Sequence, residues 1–288
     1  MNIVFSDVDG TFQDLGVPVP QINIDAVKRL QEAGDHFVFV TGRGIGLVEQ
    51  MEQEIGLDCD VIFGNGAGFK ARGQFPTYSN CLSIETLRRL LPILDEENIL
   101  YFIHTDTEVV IQPVEKYEVH LQKLRDSLSF MGHQGRLLMD YKTEYFKEQC
   151  YHVEDIIGFF ETYPERTIVK IELMEASDKK HEILRERLTI KDTYVFTSFI
   201  KTLEIVNPLS TKGAAIRSYL EKLPYDLSFG IGDGENDLTM FETVDVAVAV
   251  ANASDTVKNK SHKTTLSCNE GGVGKFIFDE ILNYTDIN

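Results

Sequence analysis

The first predicted strand and the turn after it constrain this chain more than any other stretch. Residues 3–5 (Ile-Val-Phe) form a short apolar run typical of a buried strand, and the run leads into Asp7 and Asp9. Two carboxylates this close repel each other unless a cation lies between them. The sequence therefore predicts a metal site, with Mg²⁺ as the ion that suits oxygen ligands. An acidic turn after an edge strand is the alternative for such a pair alone.

Strand and helix patterns alternate after this turn. The sequence predicts a helix from an N-cap at Asn23 to Gly34, a strand at His36–Val40, a helix at Ile45–Ile55 and a strand at Val61–Phe63. This alternation predicts an α/β fold with a Rossmann-like parallel sheet. Ligands bind beyond the carboxyl ends of the strands in such sheets, and Asp7, Thr41 and Asn65 each follow a predicted strand.

From residue 82 to residue 208 the pattern changes to that of an α+β unit with its own apolar residues. A leucine stripe predicts a helix at 83–97, and several strands follow, the last two at 192–199 and 202–206. Helix–strand alternation then resumes, with Ser210 or Thr211 as an N-cap. We therefore predict a core of residues 1–81 and 209–288, with residues 82–208 as an inserted domain.

Four short motifs resemble those of the haloacid dehalogenase-like (HAD) hydrolases. Residues 7–11 (Asp-Val-Asp-Gly-Thr) match the DxDGT signature, residues 41–43 (Thr-Gly-Arg) end an apolar strand, Lys212 opens an amphipathic helix, and residues 232–237 follow another strand. The motifs stand in the family's chain order. The long insertion resembles the type IIB cap of the Cof-type branch, and the resemblance covers essentially the whole chain.

The resemblance implies chemical roles for several residues. Asp7 is the expected nucleophile, which forms an aspartyl-phosphate, and Asp9 is the expected general acid and base, with support of the metal as its alternative role. Asp7, Asp9 and Asp233 are the expected metal ligands, and the family pattern also uses the main-chain carbonyl of Asp9. Lys212 is expected to pair with Asp7 and the transferring phosphoryl group.

Other motif residues are expected to bind substrate or to support the site. Thr41, Gly42 and Asn236 are predicted to hold phosphate, while Arg43 either reaches the substrate or forms a surface salt bridge. Asp237 is predicted to hold Lys212 or a metal-bound water, and the Asn236–Asp237 pair has helix N-capping as an alternative. Asn65 and Asn252 are weaker candidates near the substrate entrance.

Charge and cysteine content narrow the possible partners. The formal net charge is −18, which argues against nonspecific binding to nucleic acid or to anionic membranes. The four cysteines are widely spaced and form no metal-binding pattern, which is typical of reduced thiols in a cytoplasmic protein. The N-terminus shows no signal peptide and no apolar run is long enough to cross a membrane, so we expect a cytoplasmic location.

These patterns favour a Mg²⁺-dependent phosphatase, a phosphoric monoester hydrolase that acts on a small phosphorylated metabolite such as a sugar phosphate or a cofactor-like phosphate ester. Two alternatives stay open. A sugar phosphomutase would hold a bisphosphate intermediate while it turns over. A metabolite-binding regulator would have lost turnover, although intact Asp7, Asp9, Lys212 and Asp233 argue against that.

Overall fold

A computed structural model describes residues 1–14 and 16–282 of the chain. The chain divides into two compact units: the core unit, Met1–Ser79 with Leu209–Asn288, and the inserted unit, Asn80–Pro208. The sequence prediction placed the boundaries at 81/82 and 208/209. No described helix is both long enough and apolar enough to cross a membrane.

The strands and helices of the described residues are numbered in chain order. The strands are β1 (Ile3–Ser6), β2 (His36–Val40), β3 (Asp60–Phe63), β4 (Gly68–Lys70), β5 (Thr77–Tyr78), β6 (Tyr101–Thr105), β7 (Val109–Ile111), β8 (Tyr151–His152), β9 (Ile168–Met174), β10 (Tyr194–Phe199), β11 (Thr202–Val206), β12 (Ser228–Gly232), β13 (Val246–Ala249) and β14 (Lys263–Thr264). The helices are α1 (Gln21–Glu32), α2 (Ile45–Ile55), α3 (Ile84–Glu96), α4 (Glu118–Ser127), α5 (His133–Glu148), α6 (Ile156–Thr162), α7 (Asp178–Leu188), α8 (Lys212–Leu220), α9 (Leu238–Phe241), α10 (Asp255–Lys258) and α11 (Gly272–Phe276), which continues as a π-helical turn at Ile277–Ile281.

The core unit is built on a sheet with the strand order β14-β13-β12-β1-β2-β3-β4-β5 among the described residues. Central β1 pairs in parallel with β2 and β12, so that Ile3 lies opposite His36 and Ser228. The pairs β2–β3, β12–β13 and β13–β14 are also parallel, whereas β4 and β5 return antiparallel. The predicted, mainly parallel α/β core is therefore confirmed, and the carboxyl ends of β1, β2 and β12 share one edge.

Burial on both faces explains why the core strands read as continuous apolar runs rather than as alternating patterns. All four residues of β1 are buried, and so are the last four of β2. Phe12, from the turn after β1, packs its ring 5.0 Å from Phe39 and 5.8 Å from Phe37. The turn carries Asp9, and this aromatic contact anchors the turn to the sheet.

The predicted N-cap at Asn23 is wrong. Helix α1 begins at Gln21, with Pro20 in the N-cap position. Asn23 is instead fully buried, where its Nδ2 donates to the carbonyl of Phe12 (2.9 Å) and its Oδ1 accepts from the amide of Gly274 (2.7 Å). A buried amide must satisfy both its donor and its acceptor, and tertiary partners do this here in place of the helix end.

The inserted unit has a separate sheet with the order β10-β11-β9-β6-β7-β8 among the described residues. Its strand pairs are antiparallel except for β7–β8. Side chains of β9 alternate between two apolar clusters: Ile171 packs with Leu87 of α3 on one face, and Met174 packs with Phe146 of α5 on the other. The predicted inserted α+β sheet is confirmed.

Candidate active site

Asp7 is the first residue beyond β1, at the carboxyl edge of the parallel sheet. Its amide donates to the carbonyl of Ile231 in β12 (2.9 Å), so the ladder between the strands fixes its backbone. The residue is 5% exposed. A carboxylate this deeply buried needs a compensating partner, because ionised groups are costly to remove from water.

Lys212 supplies that partner from the first position of α8. Thr211 caps this helix, as predicted, by accepting from the amide of Ala214 (3.2 Å). Lys212 is 1% exposed, and its Nζ donates to Oδ1 of Asp7 (2.6 Å) and to Oδ1 of Asp237 (2.6 Å). Burial alone would lower the pKa of Lys212, but the two carboxylates outweigh burial and raise it, so the ammonium stays charged.

Asp237 also organises the loop after β12. Its Oδ2 accepts from the amides of Asp233 (3.0 Å) and Gly234 (2.9 Å). Both oxygens of this fully buried carboxylate are therefore engaged, one by Lys212 and one by the loop. The predicted contact between Asp237 and Lys212 is present.

Asp233 faces the turn that follows Asp9. Its Oδ1 accepts from the hydroxyl of Thr11 (2.9 Å). Gly10, with φ of +78°, lies so close that a Cβ there would stand 2.6 Å from Oδ2 of Asp233. The turn therefore requires glycine both for its backbone conformation and for the approach of this carboxylate.

The donor set fits a hard divalent metal ion. Oxygens of Asp7, Asp233 and Asp237 all lie within 4.8 Å of one another, which is the one such group in the described parts of the chain. Burial raises the pKa of Asp7 well above its usual range, and burial together with the neighbouring Asp237 raises that of Asp233 to about 6. The oxygens of Asp237 already accept hydrogen bonds from Lys212 and from two amides. Asp7 and Asp233 are therefore the residues best placed to hold an ion with oxygen ligands.

Asp9 lies outside this group of carboxylates. Arg43 holds it in a two-pronged ion pair, with Nε 2.9 Å from Oδ2 and Nη2 2.7 Å from Oδ1. The Asp9 side chain is 51% exposed, whereas that of Arg43 is only 18% exposed. The structure thus gives Arg43 an ion pair, and the acid–base and metal-binding roles of Asp9 stay predictions.

The residues after β2 and β3 come together beside Asn236. The fully buried Thr41 accepts the amide of Arg43 on its hydroxyl (3.1 Å) and the amide of Asn65 on its carbonyl (2.8 Å). Asn65 has a positive φ of 59°, and a Cβ on Gly42 would lie 3.1 Å from its Oδ1. Asn236 donates from Nδ2 to the same Oδ1 (3.3 Å). These predicted phosphate-binding residues therefore form one contiguous group.

Two further contacts of the site were not predicted from the sequence. Thr11 was recognised only as part of the DxDGT motif, and its contact with Asp233 joins segments more than two hundred residues apart. Asn252, predicted as a weak substrate contact, instead donates to the carbonyl of Gly10 (2.8 Å) and accepts from the amide of Cys268 (2.8 Å). Both residues hold the turn that follows Asp9.

Comparison with known proteins gives consistent matches along the chain. A model of the haloacid dehalogenase-like hydrolase family matches residues 4–277. A curated relative, the 5-amino-6-(5-phospho-D-ribitylamino)uracil phosphatase YwtE of Bacillus subtilis, is 24% identical over 289 residues, which cover 98% of this chain and 99% of the relative. The resemblance drawn from the four motifs is therefore confirmed.

Two solved structures share the fold. A haloacid dehalogenase-like hydrolase from B. subtilis superposes with a TM-score of 0.82 at 21% identity, covering 98% of this chain and 100% of that one. The HAD subclass IIB sugar phosphatase BT4131 gives a TM-score of 0.73 at 16% identity, covering 97% and 98%. Both the parallel core and the separate inserted sheet match type IIB architecture.

Proposed function

The chain belongs to the haloacid dehalogenase-like hydrolases and is a phosphatase of that family, and from this premise we propose that it hydrolyses a small phosphorylated metabolite through an aspartyl-phosphate on Asp7. The observation that carries the proposal is the buried Asp7–Lys212–Asp237 arrangement beside Asp233. It combines a positioned carboxylate with fixed positive charge, as phosphoryl transfer requires.

Asp7 is suited to attack because its two oxygens have different tasks. Oδ1 accepts from Lys212, which leaves Oδ2 as the proposed nucleophile. In the first step Oδ2 forms a bond to phosphorus while the bond from phosphorus to the ester oxygen breaks. In the second step a water oxygen attacks phosphorus, and the Asp7–phosphorus bond breaks to release inorganic phosphate. Lys212 holds positive charge next to the reacting oxygens throughout.

Asp7, Asp233 and the main-chain carbonyl of Asp9 are the ligands we propose for Mg²⁺. Phosphate groups in proteins are commonly bound with Mg²⁺ held by one or two carboxylates, which agrees with this set. When bound, the ion supplies positive charge that neutralises the phosphate oxygens. Asp237 is not among the proposed ligands, because its oxygens already accept hydrogen bonds from Lys212, Asp233 and Gly234.

Asp9 is the proposed acid and base. It would protonate the departing ester oxygen in the first step and take a proton from the attacking water in the second. Arg43 engages both oxygens of Asp9, so one prong of the fork must open before that oxygen can meet the ester oxygen, while the other prong keeps the carboxyl oriented. Opening of this one prong on substrate binding is therefore part of the proposal.

Thr41, Gly42, Asn65 and Asn236 are the proposed phosphate-binding group. The Thr41 hydroxyl accepts from the Arg43 amide and keeps its own proton for a phosphate oxygen. Gly42 offers a backbone amide on a residue without side-chain bulk. The names of the similar proteins point to sugar-like phosphate esters, and we propose this class, a sugar phosphate or a polyol-bearing cofactor precursor, as the substrate.

The test is phosphate release from a panel of phosphorylated sugars, polyols and nucleotides, with Mg²⁺ and with EDTA. Wild type, Asp7→Asn and the exposed control Asp192→Asn are compared, since Asp192 pairs with Arg89 at the surface. Release that needs Mg²⁺ and Asp7 but not Asp192 supports the proposal. Phosphate exchange between positions of a sugar bisphosphate without net release would favour a phosphomutase, and binding of a metabolite without either reaction would favour a regulator.

A further inference from the structure

The turn that carries Asp9 and Gly10 is tied to a distant segment of the core unit by an asparagine, Asn252. This residue is exposed and lies in the turn after β13. Its Nδ2 donates to the carbonyl of Gly10 (2.8 Å), and its Oδ1 accepts from the amide of Cys268 (2.8 Å). One partner is an acceptor and the other is a donor, so only one orientation of the Asn252 amide satisfies both.

A second asparagine bridges the same two parts of the chain. The buried Asn23 donates to the carbonyl of Phe12 (2.9 Å) and accepts from the amide of Gly274 (2.7 Å). This approach requires glycine at position 274, because a Cβ there would stand 2.4 Å from the carbonyl oxygen of Ile22. Asn23 therefore holds the part of the turn that belongs to the apolar core, whereas Asn252 holds the part beside the carboxylates.

Gly10 lies against a carboxylate that is proposed to hold the metal ion. A Cβ on Gly10 would stand 2.6 Å from Oδ2 of Asp233, so any shift of this residue changes the space that the carboxylate has. The amide of Gly10 donates to the carbonyl of Gln13 (2.9 Å), which fixes one side of its left-handed backbone. Asn252 fixes the other side, the carbonyl. Both peptide groups of Gly10 are therefore held.

The same contacts set the direction of the Asp9 carbonyl. The peptide bond between Asp9 and Gly10 is trans, so this carbonyl points opposite to the Gly10 N–H and away from Gln13. The amides of residues 10–13 donate to other carbonyls of the turn. Rotation of the Gly10 backbone would therefore turn the main-chain oxygen that is proposed as a metal ligand.

Burial separates the roles of the two asparagines. Asn23 is fully buried, so loss of its contacts would leave the carbonyl of Phe12 and the amide of Gly274 without partners in the core. Asn252 is exposed, and water can satisfy its partners at small cost to the fold. Water does not fix the direction of the Gly10 carbonyl, however. The contact with Asn252 therefore matters for the direction of the turn more than for folding.

We propose that Asn252 is a positioning residue for the divalent metal ion. This role rests on the ligand set of the proposed function. Asn252 touches neither the ion nor the substrate in it, and acts by holding the carbonyl of Gly10. Through Gly10, the Asp9 carbonyl and the Asp233 carboxylate keep their directions. Loss of such an outer contact typically weakens metal binding by about 10–100-fold.

Mn²⁺ is the probe, because it prefers the same oxygen ligands as Mg²⁺ and its binding is followed by electron paramagnetic resonance without substrate or turnover. Asn252→Ala removes both contacts. Asn252→Asp keeps an acceptor for the amide of Cys268 but sets a carboxylate oxygen against the carbonyl of Gly10. We expect the dissociation constant of Mn²⁺ to rise several-fold in the alanine variant and by about tenfold or more in the aspartate variant.

Asn259→Asp is the matched control, because it makes the same chemical change at an exposed residue that follows α10. An added negative charge alone attracts a cation, so this variant should bind Mn²⁺ as tightly as wild type or more tightly. The opposite sign of the change in Asn252→Asp separates loss of position from gain of charge. Thermal melting establishes that each variant is folded, and the exposure of Asn252 predicts melting within a few degrees of wild type.

Two results would overturn this role and leave the proposed phosphatase reaction intact. Wild-type affinity for Mn²⁺ in both Asn252 variants would show that the contact with Gly10 does not position the metal ligands. Tighter binding by Asn252→Asp, equal to that of Asn259→Asp, would show that only the added charge acts. Failure of the wild-type protein to bind Mn²⁺ would overturn the proposed metal ligands and this role together.

Discussion

The ammonium of Lys212 lies 2.6 Å from Oδ1 of Asp7, and both side chains are buried beneath the carboxyl edge of the core sheet. An equal distance separates the same ammonium from Asp237. One cation therefore links the proposed nucleophile to the carboxylate that holds the loop of Asp233. Removing either partner would leave an uncompensated buried charge.

Replacement of Lys212 by methionine should remove activity and stability together. We expect kcat to fall by at least about 100-fold, since a fixed charge beside the reacting oxygens is lost. The free energy of unfolding should fall by about 3–5 kcal/mol, the usual cost of breaking a buried ion pair. Lys70→Met is the matched control, because Lys70 forms a buried pair with Glu52 at 2.9 Å elsewhere in the core unit. It should lose stability while the remaining folded enzyme keeps its kcat; equal kcat losses in both variants would count against a specific role for Lys212.

Two glycine substitutions separate backbone strain from damage to the site. Gly10 and Gly34 have φ of +78° and +86°, but only at Gly10 would a Cβ meet another group, Asp233. Each alanine variant should lose roughly 1–2 kcal/mol of stability, the cost of a left-handed backbone for an L residue. Gly10→Ala alone should raise the Mg²⁺ concentration needed for half-maximal phosphate release. If Gly34→Ala shifts the Mg²⁺ requirement equally, displacement of Asp233 is not the cause.

The Arg43–Asp9 fork should matter for its shape as well as its charge. Arg43→Lys keeps the charge but cannot form the two-pronged pair, so Asp9 should be poorly oriented and kcat should fall by about tenfold. Arg29→Lys is the control, since Arg29 forms an exposed ion pair with Glu32 one helical turn away. An Arg43→Lys enzyme with wild-type kcat would show that the pair is a surface salt bridge without a part in proton transfer.

His120 should make the stability of the inserted unit depend on pH. Its Nδ1 accepts from the amide of Leu100 (3.2 Å) and its Nε2 lies 2.9 Å from the carbonyl of Met174, which suits a neutral ring. Burial lowers its pKa, so the folded protein binds this proton less tightly than the unfolded chain. The free energy of unfolding should therefore fall as the pH falls below about 6.5 and level off below the folded-state pKa.

Denaturant unfolding near pH 7 and near pH 5.5 measures this effect, with His120→Gln as the comparison. Glutamine keeps one donor and one acceptor but does not titrate, so the variant should show a shallower loss of stability with falling pH. Equal pH dependence in wild type and His120→Gln would assign the loss to other groups.

The site residues whose positions in the fold followed most directly from the sequence lie at the ends of buried strands. Asp7 and Thr41 each follow an apolar run, and parallel pairing brings such ends to one edge whatever the details of packing. The role of Lys212 was predicted from the family motifs, because a single lysine at the start of a helix does not by itself indicate a functional site. Its burial depends on Asp7 and Asp237, which are distant in sequence.

Contacts between distant segments explain what sequence reasoning missed. Asparagine is a residue type favoured at helix N-caps, but the side-chain oxygen of Asn23 accepts from the amide of Gly274, 251 residues away. The contact from Thr11 to Asp233 and the fork between Arg43 and Asp9 are likewise tertiary. Local propensity does not encode such partners, and a buried polar side chain follows its tertiary hydrogen bonds.

The central claim is that Asp7 becomes phosphorylated during turnover. The most direct measurement is rapid quenching of the enzyme with a turned-over substrate and Mg²⁺, reduction with borohydride and peptide mass spectrometry of the N-terminal segment. The account predicts conversion of Asp7 to homoserine, which arises from reduction of an acyl phosphate, and no conversion without substrate or in Asp7→Asn. Full turnover with no modified Asp7 under any quench time, or modification of Asp9 or Asp233 instead, would contradict it.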